Sequence, residues 1–154
     1  AVTSLEIADE RFVASLAAKS CTYTCRIATD PAAALFSRPY TCVVTESLDL
    51  EAMRQAAQLL TGTHDFAAFS NGRTKKSTVR TVETIKINRE GQLIQIQLTA
   101  NSFLRHMPQL LAGSILTAGK EKKTDGTTLT LAGVESAAPA CPSHAFTLTD
   151  VQLR

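Results

Sequence analysis

The sequence predicts an α+β fold, a mainly antiparallel sheet with helices packed on one face. Apolar and polar residues alternate strictly in two segments around a glycine-containing turn, which predicts a hairpin with one buried face. Its inward residues are Ile85, Ile87, Ile94, Ile96 and Leu98. Apolar residues also recur at helical spacing in two longer segments, which predicts amphipathic helices. With 154 residues, 44% of them hydrophobic, the chain is expected to be a single domain, 1–154.

The first part of the chain is predicted to be mainly strands. Residues 2–7 and 19–28 have the composition of strands, because Thr, Tyr and Ile favour extended backbone. A loop containing Pro31 follows, and a third strand is expected over 39–45. These strands would extend the sheet beyond the hairpin.

Two helices are predicted to cover the sheet. Asp49 should cap the first, in which Leu50, Met53, Ala57 and Leu60 share a face, and Gly62 should stop it. The second should run over 102–118, with Asn101 or Ser102 as its cap and Arg105–His106 on its polar side. Residues 127–134 are predicted to be a short helix and 145–153 a last strand.

Charge is unevenly distributed along the chain. The net charge is +2, but residues 1–60 carry −2 and residues 61–154 carry +4. Such clusters indicate either ordinary solvated surface or a surface that contacts phosphates, and charge alone leaves both open. The densest cluster comprises Arg73, Lys75, Lys76 and Arg80, and a second comprises Lys120, Lys122 and Lys123.

Several classes of protein are not indicated. No apolar run approaches the ~18 residues of a membrane helix, and no signal peptide or nucleotide-binding or zinc-protease motif is visible. The four cysteines lack metal-site spacing, and Cys21 and Cys25 on one strand are too far apart to share an ion or a disulfide. Reduced thiols in an intracellular, reducing compartment are therefore expected, whether cytoplasmic, nuclear or organellar.

The segment 101–120 combines N-x-F-L-x-x-M with a helix of small residues ending in Gly-Lys, directly after a strand. This arrangement resembles the C-terminal domain of TruA-type tRNA pseudouridine synthases. The resemblance covers nearly the whole chain in the family's order. Tyr23 matches the first tyrosine of K-x-Y-x-Y, and Thr78 and Arg80 match T-x-R. The family loop G-x-H-D-F-x-x-F is matched by Gly62, His64, Asp65, Phe66 and Phe69.

The resemblance implies isomerisation of uridine to pseudouridine in tRNA, without a metal or redox cofactor. In the family, the catalytic aspartate lies in R-T-D-x-G-V-H in an N-terminal domain, and no such motif occurs here. The resemblance therefore implies a C-terminal half with no catalytic residue of its own, inactive alone. The family's M-V-R, whose arginine pairs with that aspartate, is Met107–Pro108–Gln109 here, so this position lacks a positive charge.

Site residues follow from the same resemblance. Tyr23 would stack on the flipped base, with its hydroxyl near the proton removed from C5. Residues lining the cleft would be Asn101, Phe103, Leu104 and Gln109. RNA contacts would come from Arg73, Lys75, Lys76, Arg80, Arg105 and His106. The ordinary structural alternatives are a sheet tyrosine at 23, core side chains at 103 and 104, and a surface ion pair between Arg80 and Glu83.

Three functions remain open on sequence grounds. The chain is the C-terminal half of a tRNA pseudouridine synthase, a non-catalytic RNA-binding module of that ancestry, or a dimerisation module. Its expected partners are tRNA, the missing N-terminal domain and, as in related proteins, a second copy in a homodimer.

Overall fold

The computed structural model describes residues 2, 5, 7–70, 77–120 and 139–153. The predictions for Arg73, Lys75 and Lys76, for Lys122 and Lys123, and for a helix over 127–134 lie outside the described residues.

Six strands form one mixed sheet, which confirms the α+β prediction. The strands are β1 Ala18–Ala28, β2 Cys42–Val43, β3 Gly62–Asp65, β4 Val79–Glu90, β5 Leu93–Ala100 and β6 Phe146–Leu153. Their order in the sheet is β2–β1–β5–β4–β3, and β6 lies on the same edge of β1 as β2, pairing with the earlier residues of β1. Among these described strands, the β1–β2 pair alone is parallel.

The predicted hairpin is β4–β5, and its inward residues pack as expected. Ile87 lies opposite Ile96, and Ile85 opposite Leu98. All but the half-buried Ile85 are buried, in one cluster with Met107, Leu111 and Ile115 of the following helix. The strands continue to Glu90 and Leu93, so the predicted glycine-containing turn consists of residues 91–92, and Gly91 adopts a φ of 60° in it.

Three helices accompany the sheet: α1 Ala14–Ala17, α2 Leu50–Leu60 and α3 Met107–Lys120. Asp49 caps α2 as predicted, because its carboxylate accepts bonds from the backbone N–H groups of Glu51 and Ala52. The apolar faces of α2 and α3 join the inward residues of the sheet in a single core cluster. No helix within the described ranges is both long enough and apolar enough to cross a bilayer.

Two predicted strands are wrong or shortened. The described members of the segment 2–7, which are Val2, Leu5 and Ile7, form no strand and are exposed, so no neighbouring strand supplies them with partners. The segment 39–45 begins with a 3₁₀ turn, Arg38–Tyr40, and contributes only Cys42–Val43 to the sheet. Pro39 favours that turn, because its ring fixes φ and it lacks an N–H for a ladder.

The start of α3 is later than predicted. The helix begins at Met107, so neither Asn101 nor Ser102 caps it. Asn101 instead extends the hairpin, donating its N–H to the Thr81 carbonyl while its side chain accepts from the Thr81 N–H. His106, with a φ of 63°, separates this loop from the helix. Pro108 consequently lies in the first helical turn, where its missing N–H costs little.

A β-bulge in β4 changes the alternation of side chains. Val82 lies opposite Ala100 and Thr84 opposite Thr99, so Glu83 is an extra residue. Val82 and Ile85 therefore both point toward the core. By the same alternation Arg80 lies on the helix-covered face, which is also the face of Tyr23.

Candidate active-site cleft

A cavity of about 270 Å³ lies beside the start of α3, between β1 and the loop that follows β5. Most of the residues predicted for the site line it together. The lining consists of Tyr23, Phe103, Leu104, Arg105, His106, Pro108, Gln109 and Phe146. Its volume is close to the lower end of the range of about 300–1,000 Å³ that holds small ligands, so a single nucleobase is a suitable occupant.

One wall of the cavity is an aromatic pair. Tyr23 lies opposite Leu98 in the β1–β5 ladder, so its side chain points to the same face as the core. Phe103 follows β5 in the loop, and its ring centroid lies 5.4 Å from that of Tyr23 at an interplanar angle of 82°. Edge-to-face packing of this kind stabilises both rings in defined positions. Both side chains are half-buried and therefore partly open to a ligand.

The turn before α3 forms a second wall. His106 has the left-handed backbone that bulky residues rarely adopt, a conformation that costs about 1–3 kcal/mol and recurs at functional sites. Its Nδ1 donates a hydrogen bond of 2.9 Å to Oε1 of Gln109. Leu104 is buried beneath the turn, and its carbonyl accepts the Met107 N–H at 3.1 Å. The turn is thus fixed from within the core.

Positive charge in the lining comes from Arg105, which is exposed and makes no ion pair within the part of the chain that the structure describes. Among the described residues, none that lines the cavity carries a carboxylate. Gln109 is neutral, so Arg105 is the permanent positive charge among these described lining residues.

The closing loop, residues 139–145, connects the cavity to the rest of the fold. Cys141 donates its N–H to the carbonyl of Gln109 at 3.0 Å. A Cβ at Gly113 would lie 2.0 Å from the Pro139 carbonyl oxygen, so the loop touches the backbone of α3. The loop leads directly to Phe146, which lies opposite Cys25 at the start of β6 and lines the cavity.

Phe146 was not among the sequence-predicted site residues. Its position depends on pairing between the two ends of the chain, and no local pattern encodes that pairing. The available signal was its place at the start of the last predicted strand, directly after the proline-containing loop.

Three buried or half-buried thiols, those of Cys25, Cys42 and Cys141, form a cluster at the closing loop. The Sγ atoms of Cys25 and Cys141 are 3.5 Å apart. Hydrogen bonding to Cys25 raises the pKa of Cys141 to about 12, and hydrogen bonding to Cys141 raises the pKa of Cys42. All four cysteines are free, and no cluster of metal-ligating side chains suited to an ion occurs in the described ranges.

Two predicted site residues lie outside the cavity lining. Asn101 is engaged with Thr81, as described above. Arg80 directs Nη1 to the carbonyls of Ser77 and Val79, at 2.9 and 2.7 Å, while its buried Nε has no hydrogen-bond partner among the residues that the structure describes. It forms no ion pair with Glu83, the structural alternative considered from the sequence.

Asp65, the carboxylate within the matched loop motif, has a structural role. It accepts hydrogen bonds from the Ala67 N–H and from the Thr78 hydroxyl. These bonds close the turn that leads to the 3₁₀ segment Ala67–Phe69.

Comparisons with known proteins identify the family. Residues 56–151 match the family model described as tRNA pseudouridine synthase. This chain belongs to the tRNA pseudouridine synthase family. It is 36% identical over 121 residues to tRNA pseudouridine synthase A 1 of Clostridium tetani, covering 78% of this chain and 49% of the relative.

Other relatives show the same proportions. The chain is 37% identical over 123 residues to tRNA pseudouridine synthase A of Halalkalibacterium halodurans, covering 78% of this chain and 47% of the relative. It is 38% identical over 114 residues to the Chloroflexus aurantiacus protein of that name, covering 69% and 41%. The chain therefore spans about half the length of the curated relatives it matches.

Proposed function

We propose that this chain is the C-terminal half of a tRNA pseudouridine synthase and forms, as one domain, part of the cleft that isomerises uridine in tRNA. One observation carries the proposal: Tyr23, Phe103 and the Arg105–Gln109 turn, drawn from distant parts of the chain, line a cavity of about 270 Å³. Family membership and the names of the relatives support the choice of reaction and substrate.

In this proposal the aromatic pair holds the reacting base. A uridine must leave the base stack before its glycosidic bond can be reached, and stacking on an aromatic ring offsets about 1–3 kcal/mol of that cost. The uracil would lie against Tyr23, with the edge of Phe103 limiting its rotation. The C1′–N1 bond breaks, the turned uracil forms the C5–C1′ bond, the C5 proton departs near the Tyr23 hydroxyl, and N1 takes up a proton from solvent, so that the product is an isomer of uridine.

The positive side chains would bind the RNA backbone. Arg105 at the cavity is suited to the phosphate beside the flipped nucleotide, since a guanidinium can donate two parallel hydrogen bonds to it. His106 would support that contact. Arg73, Lys75, Lys76 and Arg80 would continue the phosphate path. Asn101 would act by holding the loop that carries Phe103, and Gln109 by positioning His106.

The nucleophilic carboxylate would come from the rest of the protein. The cavity lining contains no carboxylate, and Asp65 is occupied by structural hydrogen bonds. Residues 1–154 alone should therefore release no tritium from tRNA labelled at C5 of uridine. A longer protein that also contains the R-T-D-x-G-V-H motif should release it, and Tyr23→Phe in that protein should slow release while preserving tRNA affinity. Tritium release by residues 1–154 alone would overturn the proposal.

A second candidate is RNA binding without catalysis, and the neutral side chain at Gln109 favours it. A protein of this kind would bind tRNA with strong salt dependence but form no pseudouridine even at full length. A third, dimerisation, would show a concentration-dependent mass in sedimentation and no tRNA affinity. Measuring tRNA binding, tritium release and mass on one preparation separates the three.

A further inference from the structure

A second cavity, of about 310 Å³, lies on the opposite side of the sheet from the Tyr23 cavity. On β1, Arg26 lies between the buried Cys25 and Ile27, and it is paired with Gln95 on β5. Because side chains alternate along a strand, Arg26 and Gln95 point away from α2 and α3. The cavity is lined by Arg26, Ser37, Thr41, Leu93, Ile94 and Gln95.

The polar groups of this cavity suit an anion. They are a guanidinium, two hydroxyls and a carboxamide, and no carboxylate is among them. The Thr41 hydroxyl donates to Ser37 Oγ at 3.2 Å, which leaves the Ser37 O–H available as a donor. Arg26 makes no hydrogen bond or ion pair with any other described residue, unlike Arg54 and Lys120. A phosphate oxygen would satisfy these donors.

Two residues of the cavity lining are each preceded in the chain by an aromatic residue. Phe36 directly precedes Ser37, and Tyr40 directly precedes Thr41, so each lining hydroxyl has an aromatic neighbour. Phe36 is 96% exposed and Tyr40 is 61% exposed. Exposed aromatic rings next to unpaired cationic groups are the combination that binds single-stranded nucleic acid, by stacking and by phosphate contacts.

Backbone hydrogen bonds order the segment that carries these rings. Ala34 and Thr41 are buried and anchor the segment. Between them Ser37 donates its N–H to the Ala34 carbonyl at 3.1 Å, and Tyr40 donates to the Ser37 carbonyl at 2.8 Å. A preorganised surface binds with a smaller entropic cost, because it is ordered before the ligand arrives.

We propose that this cavity binds a backbone phosphate of single-stranded RNA, through Arg26, Ser37 and Gln95, while Phe36 stacks on an adjacent base. The choice of RNA as the polymer rests on the proposed function; the anion chemistry and the exposed rings do not. An apolar protein partner fits less well, since covering this surface with apolar groups would bury the Arg26 guanidinium without a partner.

A fluorescent octauridylate tests the phosphate contact by anisotropy. Arg26→Ala should weaken binding about fivefold to tenfold and reduce the slope of log affinity against log salt by about 0.7, the value for one phosphate of a single strand. Lys86→Ala is the matched control, because Lys86 is an exposed cation on the same face, opposite Gln97, that does not line the cavity. Equal effects of the two substitutions would overturn the proposal.

Phe36 variants test the stacking contact. Phe36→Ala should weaken octauridylate binding about tenfold, within the range for loss of one stacked base. Phe36→Leu keeps most of the apolar surface but removes the ring, so it should bind almost as weakly as Phe36→Ala. If Phe36→Leu keeps full affinity, or if Phe36→Ala only alters self-association in sedimentation, the surface contacts a protein and the proposal is wrong.

Amide chemical shifts separate this site from the Tyr23 cavity. With uridine 5′-monophosphate, or inorganic phosphate as the comparison, the backbone N–H groups of Arg26, Thr41 and Gln95 should shift, more strongly for the nucleotide. Equal shifts with both ligands would mean an anion site without stacking, which contradicts the proposal. Shifts confined to Tyr23 and Phe103 would support the proposed function and rule out this second site. Shifts confined to Arg26, Thr41 and Gln95 would support the second site and contradict the proposed function.

Discussion

The His106 ring donates its Nδ1–H to Oε1 of Gln109 across 2.9 Å, at the edge of the Tyr23 cavity. Because a carboxamide oxygen can only accept, this bond fixes the proton on Nδ1. The same bond directs the amide of Gln109 and holds the left-handed turn before α3. In the related family motif M-V-R an arginine occupies this position, so a neutral side chain that bonds to His106 replaces a positive charge.

Gln109→Arg should therefore strengthen tRNA binding, about threefold to fivefold, and steepen its salt dependence by about 0.7–0.9. Pro108 is no obstacle, since it lies in the first turn of α3. Titration of labelled tRNA at several KCl concentrations measures both quantities. Gln109→Met is the control, because it also breaks the His106 bond but adds no charge. If Arg and Met variants bind tRNA equally, position 109 does not face the RNA.

Tyr23→Ala should weaken the binding of uridine-containing RNA about tenfold, since it removes the ring against which the base stacks. Tyr23→Phe retains that ring and its contact with Phe103, so binding should change less than twofold. Anisotropy with labelled tRNA measures the difference, and thermal unfolding confirms that both variants fold. Equal losses in both variants would mean that the hydroxyl, and not the ring, contacts the RNA.

Gly113→Ala should destabilise the fold by about 1–3 kcal/mol, as overpacking typically does. Its new Cβ would meet the Pro139 carbonyl oxygen at 2.0 Å, and backbone on both sides cannot easily yield. Gly119→Ala is the comparison, because its Cβ would meet the flexible Met53 side chain at 2.5 Å. Urea unfolding should show the larger loss for Gly113→Ala. The reverse order would mean that the closing loop does not pack on α3 as described.

Alkaline pH should destabilise the protein through its thiol cluster. The pKa of Cys141 is raised from 9.0 to about 12, so the folded state retains protons that the unfolded state loses. This contribution is complete below pH 9 and is lost as pH rises toward 12. Between pH 8.5 and 10.5, Tm should fall roughly 4–8 °C further in the natural chain than in Cys141→Ala, a difference equivalent to about 2 kcal/mol. Cys21→Ala should behave like the natural chain, and an identical decline in all three would contradict the role of the cluster.

Local patterns in the sequence predict the hairpin and α2 well. Alternation places Ile87 and Ile96 on the buried face, and Asp49 marks the start of a helix. The start of α3 could not be predicted this way. Phe103 and Leu104 have helical spacing relative to Met107, but they reach the core from a loop, and nothing in the pattern reveals the left-handed His106.

Assembly of the cavity could be predicted only in part. Only the resemblance to a family predicts that Tyr23, Phe103 and the turn before α3 lie together, because neither periodicity nor spacing relates β1 to that turn. Phe146 joins them through pairing of β6 with β1, a contact between the ends of the chain. Such pairings depend on the whole sheet, which local propensity does not encode.

The bulge at Glu83 makes the face on which Arg80 lies depend on a single codon. Residues from Thr84 onward are held in register by β5, and those before Glu83 by β3. Deleting Glu83 would restore plain alternation through β4, so either Arg80 would turn to the open face or the β3–β4 pairing would slip by one residue. Gene lineages that lose or gain one codon here would thereby exchange an arginine for a threonine on the helix-covered face, and comparison of such lineages would show whether selection maintains the guanidinium on the side of Tyr23.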